Sequence, residues 1–182
     1  MDVVDRGGEY YRVADPAWDD PLDGRYSMRF GARWNAPGSF PVTYLNADMD
    51  TARANARRLL TEGLRSQPFT AQDIEPSERP VLVATAVPDD RYLDVVSPSG
   101  CVANGLTATY PADEAGGSVA WPVCQTVGQR AWDAGLPGIA YRCAAPGAPH
   151  DGEELGWFDR HEVTLEPGRA QLFEDWYGPI DW

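Results

Sequence analysis

The chain has 182 residues, 43% of them hydrophobic and 11% aromatic, with seven tryptophans; this predicts one globular domain over residues 1–182 with a sizeable core, not a disordered chain. All 15 of its basic residues are arginine, so it holds no Schiff-base lysine and no GxxxxGK phosphate loop. A formal net charge of −13 argues against direct nucleic-acid binding and against an anionic membrane surface, while leaving room for a basic protein partner.

In chain order, Tyr10-Tyr-Arg-Val13 predicts a strand, and residues 14–24 read as a Pro/Asp/Gly loop. The stretch from Phe30 to Leu60 carries the most information. Gly31, Asn35, Pro37 and Gly38 mark a turn-rich loop around Arg33. Pro41 to Leu45 reads as a short strand containing Tyr44. Asp48 or Asp50 caps a helix from near Thr51, which Gly63 ends. Ala52, Ala56, Leu59 and Leu60 give that helix an apolar stripe at i, i+4, i+7 and i+8, and Asn55 falls on the same stripe. An unpaired amide among buried neighbours costs roughly 1–3 kcal/mol. Asn55 therefore either has a structural partner or lines a cleft. Arg33, Tyr44 and Asn55 are spaced 11 residues apart.

Residues 66–78 read as a polar surface connection, Pro80 to Val87 as a central strand, and Tyr92 to Val96 as another short strand. Residues 97–120 show weak periodicity and read as irregular. Pro122 suits a first helical turn, Val123, Val127, Ala131 and Ala134 recur at helical spacing, and Gly135 stops the run. Strands are then predicted over Gly138 to Cys143, Leu155 to Phe158, Glu162 to Leu165 and Ala170 to Phe173. Two or three helices and six to eight strands make a mixed α+β domain with helices packed on sheet. Three cysteines without CxxC spacing, and His150 and His161 without an HExxH pattern, predict neither a disulfide framework nor a metal site. No apolar run approaches 18 residues and the N-terminus lacks a basic-then-apolar leader, which predicts a cytosolic protein with no membrane span.

Four blocks in order, together spanning most of the chain from Tyr11 to Phe158, resemble the RES domain, a family named for the arginine, glutamate and serine of its active site that includes the toxins of many bacterial toxin–antitoxin pairs. The loop Gly31-Ala-Arg-Trp-Asn-Ala-Pro-Gly38 resembles the family's G-G-R-W-N-x-x-G. Val42-Thr-Tyr44 and Thr51-Ala-Arg-Ala-Asn55 resemble the strand and T-A-x-x-E helix that follow. Tyr92-Leu-Asp-Val95 resembles a later strand, and Gln125 to Cys143 the helix, turn and Y-x-S segment. The resemblance implies an ADP-ribosyltransferase-like split mixed β-sheet flanked by helices, with a cleft for NAD as substrate. It implies NAD consumption by phosphorolysis, hydrolysis or ADP-ribosyl transfer, with no metal, and an antitoxin partner carrying a helix-turn-helix. It gives Arg33 a phosphate of NAD, for which a planar guanidinium is suited, with Arg12 assisting and Tyr44 against the ligand. Without it, Arg33 reads as a structural arginine beside Trp34 and Tyr44 as an ordinary strand tyrosine.

Two positions depart from the pattern. Asn55 stands where the resemblance expects glutamate, and Cys143 where it expects serine. Breaking the nicotinamide–ribose bond builds positive charge on the ribose, which a carboxylate stabilises. At about 4 Å and an effective dielectric near 20, one lost carboxylate is worth roughly 4 kcal/mol, about a thousandfold in rate. Glu153 and Glu154, in the loop after Cys143, are the nearest substitutes in motif order. Cys143 fits a hydrogen-bonding place beside the nicotinamide, a core filler, or a thiolate with His150 as its base. Two principal readings stand side by side: an NAD-cleaving toxin-like enzyme, and a disabled module that binds a nucleotide or an antitoxin-like partner.

Overall fold

The structure is a computed structural model that describes residues 1–64, 74–160 and 163–177. Strands are β1 (Val3–Ala14), β2 (Val42–Asn46), β3 (Val81–Val95), β4 (Gly138–Arg142) and β5 (Glu153–Phe158). Helices are α1 (Arg25–Phe30), α2 (Met49–Leu64), α3 (Pro98–Ala103), α4 (Trp121–Asp133) and α5 (Phe173–Trp176), with a short 3₁₀ turn at Pro76–Glu78. The fold is mixed α+β. Its five strands run in the order β3-β1-β2-β5-β4, and β3 also pairs with β4, so the sheet closes on itself. β3 and β4 are parallel, whereas the other neighbours are antiparallel.

One seam is weak. β1 and β3 are paired along nearly their whole lengths, but β1 meets β2 through the single pair Tyr11–Asn46. The sheet is nearly split there, and α2 lies against β1 and β2 beside the split.

The strand count falls short of the expected six to eight because two candidates fuse and two others form no strand among the described residues. The runs around Pro80–Val87 and Tyr92–Val96 are one strand, β3, passing through Pro88. Pro88 is tolerated because the β1–β3 register shifts between Arg6 and Gly8, opposite it; a bulge there asks no ladder N–H of a proline. Ala170 to Phe173 supplies only a bridge, Leu82 to Gln171, before α5. Of the candidate strand Glu162 to Leu165, Glu162 is outside the described residues and Val163 to Leu165 are not strand.

Two short helices fall outside the expected elements: α1 lies where the sequence predicts no element, and α3 lies in the stretch 97–120 that reads as irregular. α1 follows the Pro/Asp/Gly loop. In α3 the Ser97 side chain accepts from the Gly100 amide, and buried Asp94 accepts from the amides of Val96 and Ser97. α2 begins with Asp48 accepting from the Thr51 amide at 2.7 Å, which settles the cap in favour of Asp48, and it runs through Gly63 to Leu64. Ala52 and Ala56 are buried as their spacing predicts, whereas Leu59 is 51% exposed. α4 matches its expected span, but its buried face is Cys124, Val127, Gly128 and Ala131. The main core joins this face to Trp34, Phe40, Ile139, Tyr141 and Phe158. No helix among the described residues is long and apolar enough to cross a membrane.

Candidate active site

A cavity of about 330 Å³ opens at the split between β1 and β2, within the range of about 300–1,000 Å³ usual for small-molecule sites. Side-chain alternation along the strands decides what faces it. On β2, Tyr44 and Asn46 point to the same side; on β5 that side carries Glu154, and on β4 Tyr141. Strand register sets Asn46, Glu154 and Tyr141 in one row across β2, β5 and β4. β1 contributes Arg12 and α2 contributes Asn55, while the loop before β2 brings Arg33.

Four of the five expected site residues, Arg12, Arg33, Tyr44 and Asn55, thus line one cavity. Cys143 is absent from the lining but its sulfur lies 3.6 Å from the Asn55 amide nitrogen.

The two arginines are held but not satisfied. The Arg12 Nη1 donates to the Tyr44 carbonyl at 2.7 Å, while its buried Nε has no partner among the described residues. Burial lowers the pKa of Arg12. Burial also opposes the charge of Arg33, but Tyr110, Tyr141, Cys124 and Glu154 around it more than offset that and raise its pKa. Among the described residues, the buried Arg33 Nη1 has no hydrogen-bond partner, and the Tyr110 hydroxyl alongside has none either. Orphaned buried donors are rare in folded proteins. Two guanidiniums with spare donors at one cavity make a cradle for an anionic ligand.

The Arg33 loop is fixed from several sides. Gly31 and Gly38 have φ of 76° and 77°, a region side chains disfavour. Asn35 donates to the Phe40 carbonyl at 3.0 Å and to the Ser27 hydroxyl at 3.2 Å. The Tyr44 hydroxyl accepts from the Trp34 amide at 3.0 Å and donates to the Asn35 side-chain oxygen at 2.9 Å. Tyr44 is thereby a clasp on the loop as well as a cavity wall. Tyr44→Phe strands the Trp34 amide and the Asn35 oxygen, so urea unfolding should show a loss of about 1–3 kcal/mol.

Both readings of Asn55 hold together. Its amide donates to the Asn46 side-chain oxygen at 2.8 Å, and it lines the cavity. Burial, then the neighbouring Glu154, push the Cys143 thiol's pKa up, which disfavours the thiolate. Its sulfur meets the Asn55 amide and the Ala145 amide, while His150 is exposed.

The two candidate carboxylates separate cleanly. Glu153 points to the opposite face and pairs with Arg6 through contacts of 2.5 and 2.8 Å. Glu154 faces the cavity, where its Oε2 accepts from the Tyr141 hydroxyl at 2.7 Å. Sequence reasoning did not single out Asn46 or Tyr141, nor the aromatic side chains Trp18, Tyr26 and Trp121 that line the cavity. Among the described residues no group of His, Cys, Asp and Glu is arranged to hold a metal ion.

The fold, a mixed sheet nearly split between β1 and β2, has a close counterpart among solved structures. The crystal structure of the Mycobacterium tuberculosis MbcT–MbcA toxin–antitoxin complex matches over 96% of this chain and 91% of that one, with a TM-score of 0.73 and 22% identity. That likeness carries the fold. The RES domain profile matches residues 9–169, and the chain belongs to the RES domain family. It is 32% identical over 155 residues to the NAD(+) phosphorylase MbcT of Mycobacterium bovis and of Mycobacterium tuberculosis, covering 84% of this chain and 73% of each relative.

Proposed function

We propose that this protein binds NAD in the β1–β2 cavity and cleaves its nicotinamide–ribose bond, with inorganic phosphate as acceptor. The observation that carries this reading is the pair of half-buried arginines, Arg12 and Arg33, lining the cavity beside Asn55, each with one buried donor unpartnered among the described residues. They would take the pyrophosphate, whose oxygens match a guanidinium fork. The nicotinamide ribose would then lie toward Asn55 and Glu154, with Cys143 as a neutral thiol behind them. The similarity to proteins named NAD(+) phosphorylase supports the reaction class and the acceptor.

The same reading takes the chain as one RES domain acting in the cytoplasm as a toxin held in check by an antitoxin. Its support is the toxin–antitoxin complex in which the similar fold was solved.

Purified protein incubated with NAD should release nicotinamide, faster with phosphate than without, and yield a phosphorylated ADP-ribose detectable by mass spectrometry. One observation favours a second reading, a binding module without turnover: the helix position facing the ribose holds a neutral amide, Asn55. NAD binding by calorimetry without nicotinamide release would decide for that module. Absence of both binding and release would refute the NAD site.

A further inference from the structure

Asn55 leaves α2 without a carboxylate toward the cavity, yet the cavity is not without one. Among the described residues lining it, Glu154 is the single acidic side chain. Register places Glu154 directly between Asn46 and Tyr141. The Tyr141 hydroxyl, itself buried, holds its Oε2 at 2.7 Å. Asn46 is in turn bonded to the Asn55 amide at 2.8 Å, and Cys143 lies between the two sites, against Asn55 on one side and within reach of Glu154 on the other. The carboxylate therefore belongs to the same constellation as the residue that lacks one, and it is oriented by a hydroxyl that makes no other hydrogen bond among the described residues.

We propose that Glu154, delivered from β5, supplies the negative charge for nicotinamide–ribose cleavage that a carboxylate on α2 would otherwise supply, and that Tyr141 positions it. The proposal rests on the NAD reading above. In the step, the bond from the ribose C1′ to the pyridinium nitrogen breaks and its electron pair leaves on that nitrogen as neutral nicotinamide. The positive charge of the pyridinium passes to C1′ and the ring oxygen, where the Glu154 carboxylate offsets it. A lone pair of a phosphate oxygen then forms the new C1′–O bond. Glu154 neither gains nor loses a proton.

The test compares the unaltered protein with Glu154→Gln, Tyr141→Phe and the double variant Asn55→Glu/Glu154→Gln, reading nicotinamide release by kinetics and NAD affinity by calorimetry. Glu154→Gln keeps the shape and the acceptor for Tyr141 while losing the charge. It should lower kcat roughly 100- to 1,000-fold, the scale of one preorganised charge-stabilising group, with NAD affinity changed less than about threefold because NAD is held mainly by the arginines. The double variant, with its carboxylate returned to α2, should recover at least about tenfold over Glu154→Gln. Tyr141→Phe should lower kcat with KM little changed, whereas a purely structural role would lower the melting temperature and the active fraction alone. If Glu154→Gln fails to fold, Glu154→Asp, which keeps the charge one methylene away, should keep affinity and lose part of kcat.

Full kcat in Glu154→Gln or in a folded Glu154→Asp overturns the proposal while the NAD reading stands. Tight NAD binding without release by the unaltered protein overturns it too, since Glu154 then does not replace the α2 carboxylate. Absence of NAD binding brings down the NAD reading itself, and the proposal with it.

Discussion

Arg33→Ala should weaken NAD binding about 100-fold without lowering the stability of the free protein. A charge-assisted contact to phosphate is worth roughly 1.5–3 kcal/mol, and the upper end is about 100-fold in affinity. The Nη1 of Arg33 is buried and has no hydrogen-bond partner among the described residues. The surroundings of Arg33 favour its charge overall, but truncation breaks no hydrogen bond at Nη1, so the melting temperature should change little. An arginine serving the fold beside Trp34 would behave the opposite way, with a lower melting temperature and an unchanged affinity. Calorimetric titration with NAD and a thermal melt of the same variant separate the two. Arg33→Lys should recover only part of the affinity, because an ammonium cannot grip two phosphate oxygens in a planar fork.

Gly128→Ala is expected to destabilise the protein by about 3 kcal/mol, although in an isolated helix the same change stabilises by about 1 kcal/mol. Gly128 lies on the buried face of α4, and a Cβ there would sit 1.8 Å from the Trp34 carbonyl oxygen. The obstacle is backbone, so a rotamer change cannot relieve it. Either α4 or the Arg33 loop must move, and Gln125, which donates to the Ala32 carbonyl at 2.9 Å, ties the two together. For a chain of this size about 3 kcal/mol corresponds to a melting temperature lower by roughly 6–12 °C. A thermal melt reads the sign directly, and a rise would mean that α4 does not approach the loop so closely. Because Trp34 adjoins Arg33, NAD affinity should fall in the same variant.

The departures at Asn55 and Cys143 look different in three dimensions than in one. In the sequence they are two missing functional groups at separated positions. In the fold they are neighbours, 3.6 Å apart, and the Glu154 carboxylate stands in the row of side chains beside them. The hydrogen bond from Asn55 to Asn46 also explains how an amide is tolerated on the apolar stripe of α2, since its donor is satisfied without water. Glutamate at position 55 would bring an acceptor against the Asn46 oxygen and a second negative charge near Glu154, a pairing of like charges that raises the pKa of one of them. Removing the Glu154 charge relieves that repulsion, which is why the exchange is tested as a double variant.

Much of this was readable along the chain. The helix α4 was visible because Pro122 opens it, its buried residues recur at 3.6-residue spacing, and Gly135 closes it. The Arg33 loop was visible because its glycines mark backbone angles that other residues avoid. Asn55 was singled out by its place on the apolar stripe of α2, whereas Arg12, Arg33 and Tyr44 received their roles through the resemblance to the RES family. The short helices α1 and α3 were not visible, since six residues make less than two turns and carry no periodicity. β3 was read as two strands because a proline interrupts it, and only the bulge on β1 explains the continuity.

The sequence by itself determined the turn-rich Arg33 loop, the helices α2 and α4 and the absence of lysine chemistry, but in it Glu153 and Glu154 read as loop residues; their place on β5, facing opposite ways, came from the fold. The tertiary structure alone decided which of the two faces the cavity. Alternation has a period of two and is blind to sides; the pairing of β5 between β2 and β4 sets Glu154 opposite Asn46 and Tyr141, and sends Glu153 to Arg6.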